Sequence, residues 1–215
     1  MLRTFLADLR GASWPVWLIF ALCFLPEFLL SAADIGAIDA PRARAIAFDN
    51  FGFWAGLLGN WHPNYAVQPW LMFLTYGFLH AGPVHFAVNM LALFALGGPV
   101  ALVAGPWRFL SLYLMFAVAG AVGFALWPEV GAPMVGASGA LFGLAGLLLA
   151  WDWRFRRRRG LPLVPVLRSL AMLAGLNLVL WIAMGGQLAW QTHLGGFVAG
   201  WAMGWLVAPG PQKRR

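Results

Sequence analysis

The sequence has few charged residues and a single cysteine, and each scarcity excludes a class of protein. Only 10% of its 215 residues are charged, whereas 62% are hydrophobic. Soluble domains carry about a quarter charged residues, so this chain has too little polar surface for water. Cys23 lies alone in an apolar stretch, which excludes a disulfide framework and a cysteine-based metal site. The composition therefore predicts an integral membrane protein with about six spans of roughly 20 residues each.

Acidic residues are also scarce: the sequence has 7 of them and 14 basic residues, which gives a net charge of +7. The basic residues are clustered: 156–159 are all arginine, Arg154 and Arg168 flank that run, and 213–215 are basic too. Short clusters of this kind are typical of the cytoplasmic ends of membrane spans, where they can also contact anionic lipids. A nucleic-acid site would need a large exposed basic domain, for which the chain has no room, so no nucleic-acid partner is predicted.

Six apolar segments are long enough to cross a membrane, and together they predict one all-α domain covering residues 1–215. The segments are 14–33, 83–103, 107–126, 135–153, 161–184 and 188–208. Because Arg3 and Arg10 precede the first segment, it resembles a signal peptide; its length favours a retained helix, with a cleaved signal as the alternative. The long connection 34–82 is rich in tryptophan and is expected to lie on or in the outer leaflet.

The basic residues also predict an orientation for these spans. The N-terminus, the connection 104–107, the 154–160 run and the C-terminal tail are expected in the cytoplasm. The long loop, the segment around Glu129 and the segment 185–187 then lie outside, and an even number of spans returns both termini to the cytoplasm. Transporters built from inverted repeats show matching interrupted segments in two halves, and no such pair is present.

A few polar side chains fall within the predicted spans, where they are costly and mark candidate functional sites. They are His85, Asn89, Ser138, Asn177 and His193, with Glu27 and Asp152 nearer to span ends. Counting from the cytoplasmic ends at 1.5 Å per residue places Ser138 about 24 Å and His193 about 22 Å along their helices. His85 and Asn89 are one turn apart at the outer end of the second span. We therefore predict that side chains from three helices meet in one layer.

The chemistry of this cluster favours nucleophilic catalysis. Two histidines, an asparagine and a serine could in principle hold a metal, but no carboxylate or thiolate joins them, so neither a metal nor a cofactor is predicted. A serine hydroxyl is a weak nucleophile that needs an adjacent base such as imidazole. An asparagine amide and a histidine N–H can stabilise the oxyanion. Since no acid is placed to orient the histidine, the residues indicate a dyad of Ser138 and His193.

Small residues surround the candidate serine. Gly136 and Gly139 lie beside Ser138 and allow a helix N-terminus to pack closely, with its N–H groups free to face an oxyanion. Phe142 follows Ser138 by one turn, so its ring is expected to pack against an imidazole from the sixth helix.

Two glycines follow the candidate base. Gly196 and Gly200 form a small-residue face that lets the sixth helix approach the fourth and bring His193 to the serine. Taken alone, a transmembrane serine is more often structural, bonding a carbonyl oxygen of the preceding turn, and a lone histidine more often joins helices. The coincidence of depth, spacing and context favours catalysis.

The chain resembles the rhomboid intramembrane proteases in their six-span bacterial form. The matching residues are Leu79, His80, His85, Asn89 and Met90, the Gly-Ala-Ser-Gly stretch 136–139, and His193 with Gly196 and Gly200. They occur in the family's order on spans two, four and six, within residues 60–205. Gly-x-Ser-Gly alone is a weak signal, but the combination is highly specific.

The resemblance implies an intramembrane serine endopeptidase of the bacterial inner membrane, with a membrane-embedded outer loop and no cofactor. Ser138 would be the nucleophile and His193 the general base. The backbone N–H of Ser138 and the side chains of His85 and Asn89 would hold the oxyanion. His80 would have a structural role. Substrates would be single-span membrane proteins that enter past the fifth helix and are cut near the outer end of their own helix.

Three departures from the family pattern concern loop anchoring and stability. Trp70 is followed by Leu71 where many members have arginine, the stretch 97–105 lacks a glutamate, and Phe142 stands where tyrosine is frequent. Two other functions remain as alternatives. A catalytically inactive rhomboid-like protein would bind transmembrane clients, but such proteins generally lack the serine or the histidine. A transporter with a histidine proton relay would need more charged residues at mid-membrane.

Overall fold

Helices form nearly all of the regular structure. The computed structural model describes residues 14–127 and 131–207. The α-helices are α1 (Trp14–Asp34), α2 (Ala43–Phe51), α3 (Gln68–Thr75), α4 (Pro83–Ala104), α5 (Pro106–Leu126), α6 (Ser138–Arg159), α7 (Val164–Ala183) and α8 (Trp190–Leu206). Across the described ranges, β pairing is limited to an isolated bridge between Phe53 and Met134. The predicted all-α fold is confirmed, with one long helix at each of the six apolar segments.

The largest correction concerns the fourth apolar segment, predicted as 135–153. Helix α6 begins later, at Ser138, because Gly136 has a φ of +126°, a left-handed conformation that interrupts a helix. It also ends later, at Arg159, because arginine is a good helix former and its positive charge stabilises the C-terminal end of the helix dipole. Gly160, in the left-handed conformation, then terminates the helix.

The last two long helices are shorter than predicted. Helix α7 occupies 164–183 of the predicted 161–184, because Pro165 fixes its first turn and two glycines with positive φ, Gly185 and Gly186, follow its end. Helix α8 begins two residues after the predicted 188, since Ala189 has a non-helical ψ of 65°. The predicted end of that segment, residue 208, lies outside the described part of the chain.

The centre of the bundle consists of α5, α6 and α8, and α6 and α8 make the most extensive contact. Their backbones meet at glycines. A Cβ atom on Gly200 would collide with the carbonyl group of Gly143, and one on Gly196 with the carbonyl group of Gly139. In lipid, close packing of this kind is a main source of helix association, because apolar side chains gain little by leaving the hydrocarbon. The predicted approach of the sixth long helix to the fourth is therefore present.

The long loop is anchored to α1 by Arg44 of α2. The guanidinium of Arg44 donates to both carboxylate oxygens of Glu27, at 2.9 and 3.0 Å, to Asp34 at 2.7 Å and to the carbonyl oxygen of His80 at 2.6 Å. Hydrogen bonding to Glu27 holds the pKa of the Arg44 guanidinium above its usual value. The side chain of Glu27 is only 4% exposed, and Arg44 neutralises its carboxylate inside the protein.

Four helices, α1, α4, α5 and α7, are long and apolar enough to cross a membrane among the residues that the structure describes. Helix α6 is less apolar because its last turns carry Asp152 and the arginine run, and α8 has only 17 residues. The two carboxylate oxygens of Asp152 accept hydrogen bonds from Nε of Arg156, at 2.8 and 2.9 Å. The protein is an all-α, multi-pass membrane protein. The predicted topology signals at Arg3, Arg10, Glu129 and 213–215 lie outside the described residues.

Candidate active site

Ser138 is the first residue of α6 and is half-exposed. The N–H of Leu141 bonds the carbonyl oxygen of Ala137, and the earlier N–H groups of the helix have no intrahelical acceptor. The N–H of Ser138 therefore lies at the positive end of the helix dipole, where an anion is stabilised. Gly139 allows this end of α6 to approach its neighbours, since a Cβ there would lie 2.7 Å from a methyl group of Thr192.

The segment before Ser138 is held by the long loop. Phe53 and Met134 exchange two backbone hydrogen bonds of 3.0 Å, and the N–H of Gly136 donates to the carbonyl oxygen of Tyr76 at 3.0 Å. These three bonds fix the extended backbone that leads into α6. They explain how Ser138 keeps a defined position although Gly136 and Gly139 lie close to it in the sequence.

His193 lies in the first turn of α8 and is buried. Its Nε2 is 2.8 Å from Oγ of Ser138, so the hydroxyl can donate directly to the imidazole. The ring stacks on Phe142, with 4.2 Å between centroids and 5° between planes. The expected packing of Phe142 against an imidazole is thus present, and the serine and histidine sit at the same depth.

Asn177 on α7 meets the other side of the same imidazole. Its Oδ1 lies 2.6 Å from Nδ1 of His193. In the sequence, Asn177 stands out as a polar residue within a predicted span, without an assigned role. The available signal was an amide in the middle of an otherwise apolar helix. The sequence prediction that no acid orients His193 is compatible with this contact, because the partner is a neutral amide.

His85 and Asn89 both lie in the first two turns of α4. Nδ1 of His85 accepts from the N–H of Ala81 at 3.2 Å, which leaves Nε2 as the protonated nitrogen of the neutral ring. Nε2 lies next to Gly136, where an added Cβ would be 2.8 Å from it and 3.9 Å from Oγ of Ser138. Asn89 is buried, and its amide nitrogen donates to the carbonyl oxygen of His85 at 2.9 Å. The structure thus brings His85 beside the serine, whereas the recorded contact of Asn89 is to its own helix.

The family model of the rhomboid domain matches residues 67–210, two thirds of the sequence. The chain belongs to the rhomboid family. Rhomboid protein 1, mitochondrial, of Saccharomyces cerevisiae is 36% identical over 149 residues, which are 64% of this chain and 42% of that relative. Rhomboid-type serine protease 2 of Emericella nidulans is 31% identical over 153 residues, 70% of this chain and 29% of the relative.

A bacterial relative is similar over a shorter stretch. Rhomboid protease GluP of Bacillus subtilis is 39% identical over 84 residues, covering 39% of this chain and 16% of the relative. The chain spans less than half the length of each of these three relatives. The rhomboid match includes α4 to α8 and therefore every residue of the candidate site, whereas α1 and α2 lie before it.

His80 lies outside the helices of this rhomboid protein, in the turn that leads to α4, and its side chain is fully buried. Its ring packs edge-on against His85, with centroids 5.2 Å apart, and against Phe86 at 5.5 Å. Burial, reinforced by the nearby His85, lowers the pKa of His80 to about 3, so its imidazole is neutral. The structural role of His80 stays a prediction, and its neutral ring packs against His85.

The rhomboid site therefore contains a hydroxyl, an imidazole hydrogen-bonded to it, an acceptor behind the imidazole and N–H donors beside the hydroxyl. This set can activate a serine and stabilise a negatively charged oxygen. Within residues 14–127 and 131–207, no group of three His, Cys, Asp or Glu side chains is arranged to share a metal ion.

Proposed function

We propose that this rhomboid protein is an intramembrane serine endopeptidase that hydrolyses peptide bonds in or near the transmembrane helices of single-span membrane proteins. The observation that carries the proposal is the 2.8 Å contact between Oγ of Ser138 and Nε2 of His193. The two residues lie on α6 and α8, whose glycine contacts hold the helices together. Two relatives bear the word protease in their names, one from Emericella nidulans and one from Bacillus subtilis.

In the first step, Oγ of Ser138 attacks the carbonyl carbon of the scissile peptide bond while its proton passes to Nε2 of His193. The resulting imidazolium donates that proton to the nitrogen of the leaving strand as the C–N bond breaks. The product is an acyl-enzyme ester on Ser138. A water molecule then attacks the ester, with His193 again taking and returning one proton, and the serine is regenerated.

The negative oxygen formed in each step needs hydrogen-bond donors. The backbone N–H of Ser138 lies at the start of α6, and the protonated Nε2 of His85 lies next to Gly136, two residues before Ser138. Such preorganised donors stabilise a transition state by about 2.7–4 kcal/mol each. Asn89 is proposed as a third donor, since the second N–H of its amide remains after the bond to His85.

Access to the site follows from the exposure of its parts. Ser138 is half-exposed at the outer end of α6, and the C-terminal part of α7 next to it has no buried side chain. Water is proposed to reach Ser138 from the loop side of the bundle, and an extended stretch of substrate to reach it laterally past α7. The proposed setting is a bacterial inner membrane with both termini in the cytoplasm, in agreement with the arginines at the end of α6.

The proposal is tested by labelling the purified protein in detergent with a fluorescent fluorophosphonate, which reacts with activated serines. We expect labelling of the wild type and loss of labelling to background in Ser138→Ala and His193→Ala. Ser111→Ala is the matched control, because Ser111 is exposed on α5 and bonds only the carbonyl oxygen of Trp107 among the described contacts.

Two results would reject the protease. One is a folded wild type that does not label; the other is a Ser138→Ala variant that labels as strongly as the wild type. Either result would favour the alternative function, a rhomboid-like protein that binds transmembrane clients without cleaving them.

A further inference from the structure

The C-terminal half of α7 meets the rest of the bundle at one polar side chain. Among residues 164–183, all of which are described, Val166 alone is buried, and Leu173 and Asn177 are half-buried one turn apart. Every residue from 178 to 185 is exposed. Within this stretch Asn177 is therefore the last residue of α7 whose side chain reaches inward, and what it reaches is His193.

The contact determines which nitrogen of His193 carries the proton. With Oδ1 of Asn177 placed 2.6 Å from Nδ1, the amide oxygen can only accept, so Nδ1 must be the protonated nitrogen. A neutral imidazole has a single N–H, and Nε2 is left with a lone pair. That lone pair faces the hydroxyl of Ser138 at 2.8 Å, which is the arrangement a general base requires.

The stacking of His193 on Phe142 cannot make this selection. A nearly parallel stack, with planes 5° apart, fixes the plane of the imidazole. Rotation by 180° about the bond to the ring keeps the same plane but exchanges the positions of Nε2 and a carbon atom. The His ring torsion is broad and roughly two-fold, so both orientations are open to the side chain. Only the orientation with Nδ1 toward α7 places Nε2 against Ser138.

We propose that Asn177 is a positioning residue that holds His193 in its catalytically competent tautomer and ring orientation, so that the docking of α7 sets the state of the base. This inference rests on the proposed function. Asn177 touches neither the nucleophile nor, by its position behind the ring, the peptide bond. When α7 moves away from α8, His193 loses its acceptor, and the serine loses a correctly oriented base.

The test compares two nearly isosteric substitutions that separate positioning from packing. Asn177→Leu keeps the volume and removes the acceptor, whereas Asn177→Asp keeps an acceptor and adds a charge that packing alone would not tolerate. The readout is the rate of fluorophosphonate labelling as a function of probe concentration and pH. Leu173→Ala, one turn earlier on the same face, is the control for altered packing of α7.

We expect Asn177→Leu to lower the maximal labelling rate about fivefold, the rate equivalent of one net hydrogen bond, with little change in the probe concentration for half-maximal rate. Asn177→Asp is expected to keep labelling near the wild-type maximum. The pH at which its labelling declines should move upward, because a carboxylate favours the protonated imidazole. Among the described residues, His85 on α4 is the ionisable side chain that interacts electrostatically with this ring, and it is unchanged in these variants. Leu173→Ala should label within about twofold of the wild type, as it leaves the hydrogen bond in place.

Wild-type rates and pH dependence in Asn177→Leu would overturn the inference while leaving the protease intact. An equal loss in the Leu and Asp variants, matched by Leu173→Ala, would assign Asn177 to packing instead. Absence of labelling in the wild type is a different failure, since it would reject the proposed function itself.

The link to α7 docking is tested by distances between spin labels. Ile182→Cys on α7 and Val198→Cys on α8 are both at exposed positions, 63% and 56%, and Cys23→Ala removes the native thiol. Pulsed electron paramagnetic resonance should show a broader and longer distance distribution when Asn177→Leu is added to this triple variant. An unchanged distribution would show that Asn177 does not contribute to the docking of α7.

Discussion

The α6–α8 pair and α7 contribute to the same imidazole, but they are attached to the bundle in different ways. At the interface of α6 and α8, the carbonyl groups of Gly143 and Gly139 lie against glycines of α8, with no space for a methyl group. Gly175 of α7, in contrast, has no atom within 4 Å of the place where its Cβ would be. The nucleophile and the base thus lie on helices whose backbones are in direct contact. Asn177, which we propose orients the base, lies on a helix whose outer half is largely exposed.

The long loop is a second peripheral region. Helix α2 has no buried residue, and its docking on α1 depends on Arg44 in the way that the outer half of α7 depends on Asn177. The central helices α6 and α8 are therefore held by backbone contacts at glycines, which leave no space for a larger residue. The peripheral helix α2 and the outer half of α7 each reach their neighbours through a polar side chain, Arg44 and Asn177.

The largest effect is expected from Gly200→Val, which breaks the close approach of α8 to α6. The added side chain would meet the backbone carbonyl of Gly143, which cannot rotate away, so we expect a loss of more than about 3 kcal/mol of stability or a failure to fold. Gly175→Val on α7 is the matched control and should unfold within a few degrees of the wild type. Thermal unfolding in detergent measures both, and equal stabilities would contradict the comparison.

Arg44→Gln is expected to destabilise by about 3–5 kcal/mol, because it leaves the buried carboxylate of Glu27 without its charged partner. Adding Glu27→Gln to the same chain should recover part of this loss, since no buried charge then remains. Arg42→Gln, at an exposed neighbouring position, is the control and should change stability by less than about 0.5 kcal/mol. Chemical denaturation of the wild type and these three variants provides the measurement; equal effects at positions 42 and 44 would exclude the anchor.

Phe142→Leu tests a contact inside the α6–α8 pair. Loss of the stacked ring should cost about 0.5–1.5 kcal/mol and lower the rate of fluorophosphonate labelling by roughly 2- to 13-fold. Phe142→Tyr keeps the ring and should retain the wild-type rate. If Leu and Tyr label equally fast, stacking contributes nothing to the position of His193.

The smallest effect is expected from Gly175→Ala on α7. Since no atom lies near the new methyl group, alanine should stabilise the protein by about 0.4–1 kcal/mol through its higher helix propensity and the lower entropy of the unfolded chain. A slight rise in thermal unfolding temperature would agree with an open environment. A fall would mean that α7 packs more tightly than the structure shows.

The helices and the serine–histidine contact could be predicted from the sequence because each depends on local pattern. Apolar runs of about 20 residues place helices with little ambiguity. The small-residue spacing of Gly196 and Gly200 then selects the face of α8 that meets α6. The start of α6 was missed because it depends on hydrogen bonds to Phe53 and Tyr76, more than 50 residues earlier in the chain.

The roles of Glu27 and Asn177 could not be predicted for a related reason. Helix α7 is apolar on all sides, so periodicity gives no inward face and cannot show that Asn177 points at His193. Glu27 pairs with Arg44, 17 residues later in the chain, because the nine-residue helix α2 docks beside α1. In both cases the missing information is the rotation or docking of a helix, which tertiary contacts alone determine.

The backbone bridge between Phe53 and Met134 has a consequence for inhibitor design. It joins the long loop to Met134, four residues before Ser138, so that the loop and the segment leading to the serine move together. A molecule that binds the loop would displace the backbone N–H of Ser138, the proposed oxyanion donor, without entering the catalytic cleft. Because Phe53 lies before the region that matches the rhomboid domain, such a compound would derive its selectivity from a part of this molecule outside that match.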